Sequence, residues 1–104
     1  MKQRFGSMGA VVGVCVIKLG FDGTTSLKEK RSRMNSIKDR VRRRFEIAVA
    51  ETGELDSMRK AELTFCAVSS EEALVCSLLE KAVEFVEDMG TSRIIDTRIE
   101  LVHM

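Results

Sequence analysis

Ala10-Val11-Val12-Gly13-Val14-Cys15-Val16-Ile17-Lys18-Leu19 is the stretch on which the fold turns. It is β-branched and apolar on both parities, which reads as a strand buried on both faces in the middle of a sheet. One parity holds Val11, Gly13, Cys15, Ile17 and Leu19, and the other holds Val12, Val14, Val16 and Lys18. A lysine belongs in water, so the first set is expected to face helices and the second an open face.

Working outward, Gly20 to Thr25 reads as a loop. Ser26-Leu27-Lys28-Glu29 reads as a capping box, in which a Ser hydroxyl and a Glu carboxylate reciprocally satisfy orphan amides of the first turn. The helix it opens is expected to run to about Phe45, with Leu27, Met34, Ile37, Val41 and Phe45 as its apolar stripe. Residues 45–51 alternate as a half-buried strand with Phe45, Ile47 and Val49 inward, and residues 61–68 read as a third strand. Ser69 to Glu72 reads as a second capping box. The helix behind it buries Val75, Leu78, Leu79, Ala82, Val86 and Met89 and ends at Gly90, where a left-handed cap belongs. Residues 93–102 are the last strand.

The order is β-α-β-β-α-β, the split βαβ arrangement. The expected class is therefore α+β and ferredoxin-like: a four-stranded antiparallel sheet with two helices on one face. A chain of 104 residues has room for one such domain. It is expected over residues 9–104, behind a flexible N-terminal tail of residues 1–8. Two helices on one face leave the other bare. Val12, Val14 and Val16, with Cys66 and Val68 from the third strand, are then expected to form an apolar patch that a second copy covers.

The formal net charge of +1 conceals a split. Residues 1–44 carry 12 basic and 3 acidic side chains, a net of +9, and residues 45–104 carry 5 and 13, a net of −8. Most of the positive excess lies on the first helix. Lys28, Lys30, Arg31, Arg33, Arg40, Arg42, Arg43 and Arg44 are the expected phosphate contacts. Cations at its C-terminal turn suit the helix dipole, whereas Lys28, Lys30 and Arg31 at its N-terminal turn oppose it, and broken local rules tend to mark function. The second helix is the acidic counterpart, with Glu80, Glu84, Glu87 and Asp88 outward. Pairing between the two helices along a shared edge is the competing use of these charges.

Other chemistries find little footing. The single histidine, His103, stands next to the C-terminal residue, and Cys15, Cys66 and Cys76 have no zinc spacing. No catalytic set, metal, cofactor or small-molecule substrate is expected. Glu51, Glu54 and Asp56 read as turn carboxylates. Gly20-x-x-Gly23 lacks the Gly-Lys-Ser/Thr of a phosphate-binding loop. Phe65 reads as core, so no aromatic platform for RNA bases is expected on the sheet. No stretch approaches the roughly 18 apolar residues of a membrane helix. The short apolar run after a basic start lacks a cleavage site and reads against secretion.

Thr25-Ser26-Leu27-Lys28-Glu29-Lys30-Arg31, then Asp39-Arg40-Val41-Arg42-Arg43-Arg44-Phe45 and Val49-Ala50-Glu51, resembles the YlxP-like bacterial family of unknown function, over roughly residues 10–102. Met58 and Glu46 depart from its pattern. The resemblance implies a ferredoxin-like fold, a cytoplasmic protein and a link to translation through RNA or the ribosome. The leading expectation is a non-enzymatic accessory protein that binds RNA or the ribosome through its first helix. The alternative is a homo-oligomeric protein-interaction module, a homodimer in its simplest form, that uses the open sheet face and the oppositely charged helices.

Overall fold

A computed structural model describes residues 9–104. The expected tail at residues 1–8 lies outside them. The elements are β1 (Val11–Gly20), α1 (Leu27–Arg44), β2 (Ala48–Gly53), β3 (Lys60–Ser69), α2 (Glu72–Met89) and β4 (Arg93–His103). The sheet is antiparallel in the order β2-β3-β1-β4, so the fold is ferredoxin-like.

Residues 10–19 behave as read. The odd positions of β1 are buried, and Cys15, Ile17 and Leu19 are fully so. They join Ala61, Leu63, Phe65 and Ala67 of β3 beneath Met34, Ile37 and Val41 of α1 and Val75, Leu79, Ala82 and Val86 of α2. Phe65 is core, as expected. Gly13 belongs to the same face and allows α2 to approach closely. A Cβ built there would lie 2.4 Å from Val75 Cγ1 and 2.7 Å from Leu79 Cδ1.

The helix ends explain two departures from the sequence reading. At α1, the Glu29 amide donates to Ser26 Oγ at 3.1 Å, which is half of the capping box. The Glu29 carboxylate turns to Thr25 rather than Ser26, accepting from its hydroxyl at 3.4 Å. At α2 the second box does not form. Glu71 is the N-cap and makes no side-chain cap bond, because Ser69 Oγ is engaged by the Glu71 amide. Gly90 takes the left-handed conformation expected of it, at φ 69°. Phe45 is the C-cap of α1, its amide donating to Val41 O, so β2 starts at Ala48 rather than at residue 45.

Two predictions concern the core. An alanine methyl at Gly13 has no free volume under α2, so Gly13→Ala lowers stability by ~1–3 kcal/mol despite its better strand propensity. A urea midpoint equal to wild type would contradict that packing. Burial pushes the Cys15 thiol from 9.0 up to about 11. The unfolded chain releases this proton near pH 9 while the folded chain keeps it. Cys15's contribution is therefore whole below pH 9 and falls as pH rises toward 11. Cys15→Val removes this part of the pH slope, as read by urea unfolding on either side of pH 9.

Candidate nucleic-acid interface

The apolar stripe of α1 contains one residue that the sequence reading put elsewhere. Lys30 is three residues after Leu27 and four before Met34, so helical geometry turns it toward the sheet. It is 1% exposed. Its Nζ donates to the carbonyls of Glu54 and Ser57 at 2.6 Å and of Lys60 at 2.7 Å. Three donors meet three acceptors, which lets an ammonium stay charged out of water. The Glu54 carbonyl is supplied by a non-glycine residue at positive φ (58°), and it also closes the turn to the Ser57 amide. Lys30 therefore ties α1 to the β2–β3 turn. It leaves the set of phosphate contacts, because no donor of its ammonium is free.

The other seven cations divide by neighbour. Arg33 is half-buried and paired with Glu29 at 3.1 Å. Arg42 donates to the Val49 carbonyl of β2 at 2.8 Å and lies 4.0 Å from Asp39. Lys38, outside the expected set, reaches Glu51 of β2 at 3.9 Å. Lys28, Arg31, Arg40, Arg43 and Arg44 are exposed, and among the described residues none has a carboxylate within ion-pair distance. Arg43 Nε donates to the Asp39 carbonyl at 3.3 Å and leaves the rest of its guanidinium to solvent.

The competing use of the charges was pairing between the helices. Among the described residues no ion pair joins α1 to α2. Aromatic contacts occupy the shared edge instead. Phe45 and Phe85 meet edge to face at 5.7 Å between centroids. The guanidinium carbons of Arg40 and Arg44 lie 5.8 and 5.7 Å from the Phe85 centroid. Such cation–π contacts hold the two arginines against the ring without removing their charge. Arg40, Arg43, Arg44 and Phe85 thus line one shallow hollow. Glu84, Asp88 and Lys81 line the next one with Arg44, beyond ion-pair distance.

The expected apolar patch lies on the face away from the helices. Val12 pairs with Val68 and Val14 with Cys66, and Val16 lies opposite Thr64. Val12, Val14, Val16 and Cys66 are half-buried by their neighbours, and Val68 is 66% exposed. Charge bounds the patch: Lys18 lies between Glu62 and Asp96, and Val14 and Val16 face Glu100 and Arg98 of β4.

The profile of the family described as Protein of unknown function (DUF503) matches residues 12–99, and the chain belongs to that family. No curated protein matches the chain. Among solved structures it is similar to the de novo designed protein Foldit4, at TM-score 0.54 and 12% identity over 91% of this chain and 98% of that one. It also matches a structural-genomics protein, YJCS, at TM-score 0.49 and 12% identity over 88% and 99% of the two chains. At such identities the designed protein bears on the fold alone.

The Lys30 cradle carries its own prediction. Lys30→Met fills similar volume but takes the ammonium from three carbonyls, of which the Glu54 carbonyl keeps only the Ser57 amide, and is expected to cost about 2 kcal/mol or more. Lys30→Arg does not restore it, because a planar guanidinium cannot aim three donors from one nitrogen. Urea unfolding of both variants is the measurement. A wild-type midpoint for Lys30→Met would show the cradle to be dispensable.

Proposed function

We propose that this member of the DUF503 family is a non-enzymatic cytoplasmic accessory protein that binds RNA, free or within the ribosome, through the exposed cations of α1. The observation that carries the reading is that Lys28, Arg31, Arg40, Arg43 and Arg44 stay exposed with no ion pair among the described residues, although the acidic helix α2 lies beside Arg40 and Arg44. A protein that spent its charge dipole internally would pair these groups along the shared edge. Here the acidic side chains of α2 stand off, and Arg40 and Arg44 lie over the Phe85 ring instead. The resemblance to the YlxP-like family, with its implied link to translation, points the same way.

Contact of this kind is directed at phosphate. The exposed cations of α1 offer donors suited to phosphate rather than to base edges, so affinity without strong sequence preference is expected. Arginine suits the task because its planar fork takes a phosphate bidentately. The helix dipole opposes an anion at this C-terminal end. Arg40, Arg43 and Arg44 together outweigh that half charge.

The test is binding of a structured RNA as salt is varied. Five phosphate contacts imply a slope of log affinity on log salt of about −4. Arg40→Gln/Arg43→Gln/Arg44→Gln is expected to reduce that slope by about 2.5. Lys28→Gln/Arg31→Gln, which disturbs no aromatic contact, is expected to reduce it by about 1.5. Absence of salt-dependent binding at low ionic strength, or a slope unchanged in both variants, would overturn the reading.

A further inference from the structure

The two edges of the sheet are treated differently. β2 is short, with 6 residues, and its pairing with β3 is irregular between Glu51 and Gly53. Side chains of α1 also close over it: Arg42 takes the Val49 carbonyl and Lys38 reaches Glu51. These are the ordinary means by which a protein blunts an edge strand. β4 has none of them along most of its length. It has 11 residues, and α2 rests on β1 and β3 rather than on it. Only Ile94 and Leu101 are half-buried; the other nine are exposed, including the apolar Ile95, Ile99 and Val102. The single irregularity falls where Lys18 and Leu19 oppose Asp96 and Ile94, leaving Asp96 to His103 in regular register. Among the described residues no strand pairs with this edge, and a regular, partly apolar edge is a template for another strand.

We infer that β4 pairs antiparallel with β4 of a second copy, about a two-fold axis at Ile99, and so joins two sheets into one of eight strands. The charge pattern of the strand selects this partner. Asp96, Arg98 and Glu100 alternate in sign along one face. Antiparallel pairing about Ile99 sets Arg98 opposite Glu100 of the other copy, twice by symmetry. It also sets Ile99 against its own copy, Thr97 against Leu101 and Asp96 against Val102. No like charges face each other, and every pair from Asp96 to Val102 lies within the regular stretch. Pairing about Arg98 would oppose two arginines, and pairing about Thr97 would run into the irregular backbone at Ile95. Arg98 and Glu100 pair within one chain at 3.2 Å, so the two side chains lie side by side on one face of the edge strand. The inference is independent of the RNA reading, which uses the opposite side of the molecule.

Sedimentation velocity on the full chain tests it. Wild type is expected to be a dimer at micromolar concentration. Arg98→Glu places like charges across the axis at two sites and is expected to weaken the dimer by roughly tenfold or more. Arg98→Glu/Glu100→Arg restores opposite signs and is expected to restore the dimer, which a merely misfolded single variant would not do. Ile99→Lys is expected to be monomeric with an unchanged circular dichroism spectrum. With Cys66 and Cys76 replaced by serine, Ile99→Cys is expected to oxidise to a linked dimer. A monomeric wild type would overturn the inference. So would a dimer that survives Ile99→Lys but separates on Val14→Asp, which would place the contact on the open sheet face.

Discussion

A sheet has two faces, and both helices of this chain lie on the same one. That constraint governs the rest of the molecule. It demands an apolar odd parity in β1 and β3, where Ile17, Leu19, Leu63 and Phe65 are buried completely. It demands a small residue where α2 comes closest, and Gly13 is that residue. Among the described residues it also leaves the even parity without a covering layer, so Val12, Val14 and Val16 rely on one another and on their strand neighbours in β3 and β4 for what burial they have. Two helices are too narrow for four strands. β4 therefore stands beyond α2 with one edge toward solvent, and only Ile94 and Leu101 of its helix-side face reach the core.

Lys30 shows how a charge is taken inside such a fold. An ammonium among apolar neighbours is costly unless every donor is met. Three main-chain carbonyls of the β2–β3 turn and the start of β3 meet it here, one of them from a residue held at positive φ. The contact works in both directions, since the turn is kept in a strained shape by the cation it satisfies. Seen along the helix, Lys30 belongs to the stripe of Leu27, Met34, Ile37 and Val41. It differs from them only in needing hydrogen bonds rather than contact.

The arginines at the end of α1 solve a different problem. Their charge suits the C-terminal turn of their own helix. Phe85 holds Arg40 and Arg44 in fixed places on the surface without a carboxylate. A side chain held by a ring loses conformational freedom but keeps its charge and most of its donors, which is what a phosphate contact requires. The acidic side chains of α2 remain exposed on their own helix, so the positive and negative halves stay separate on the surface.

Much of this was legible in the sequence because it depends on periodicity and end chemistry, which are local. The two parities of residues 10–19, the stripe of α1, the cap at Ser26 and the left-handed Gly90 follow from strand and helix geometry alone, and they determine the order of elements and the class of fold. The second capping box was misread because Ser69 offers the same hydroxyl whether it caps a helix or bonds an amide two residues on. Only the tertiary structure could tell a buried lysine from an exposed one. Spacing places Lys30 on the inner stripe, but whether acceptors wait there depends on a turn 24 to 30 residues away. The same holds for the helix charges. The sequence determined that the +1 is a difference between two large opposite sums. Whether those sums cancel depends on which side chains the packing of α1 against α2 brings within ion-pair distance, and the packing put Phe45 and Phe85 there instead.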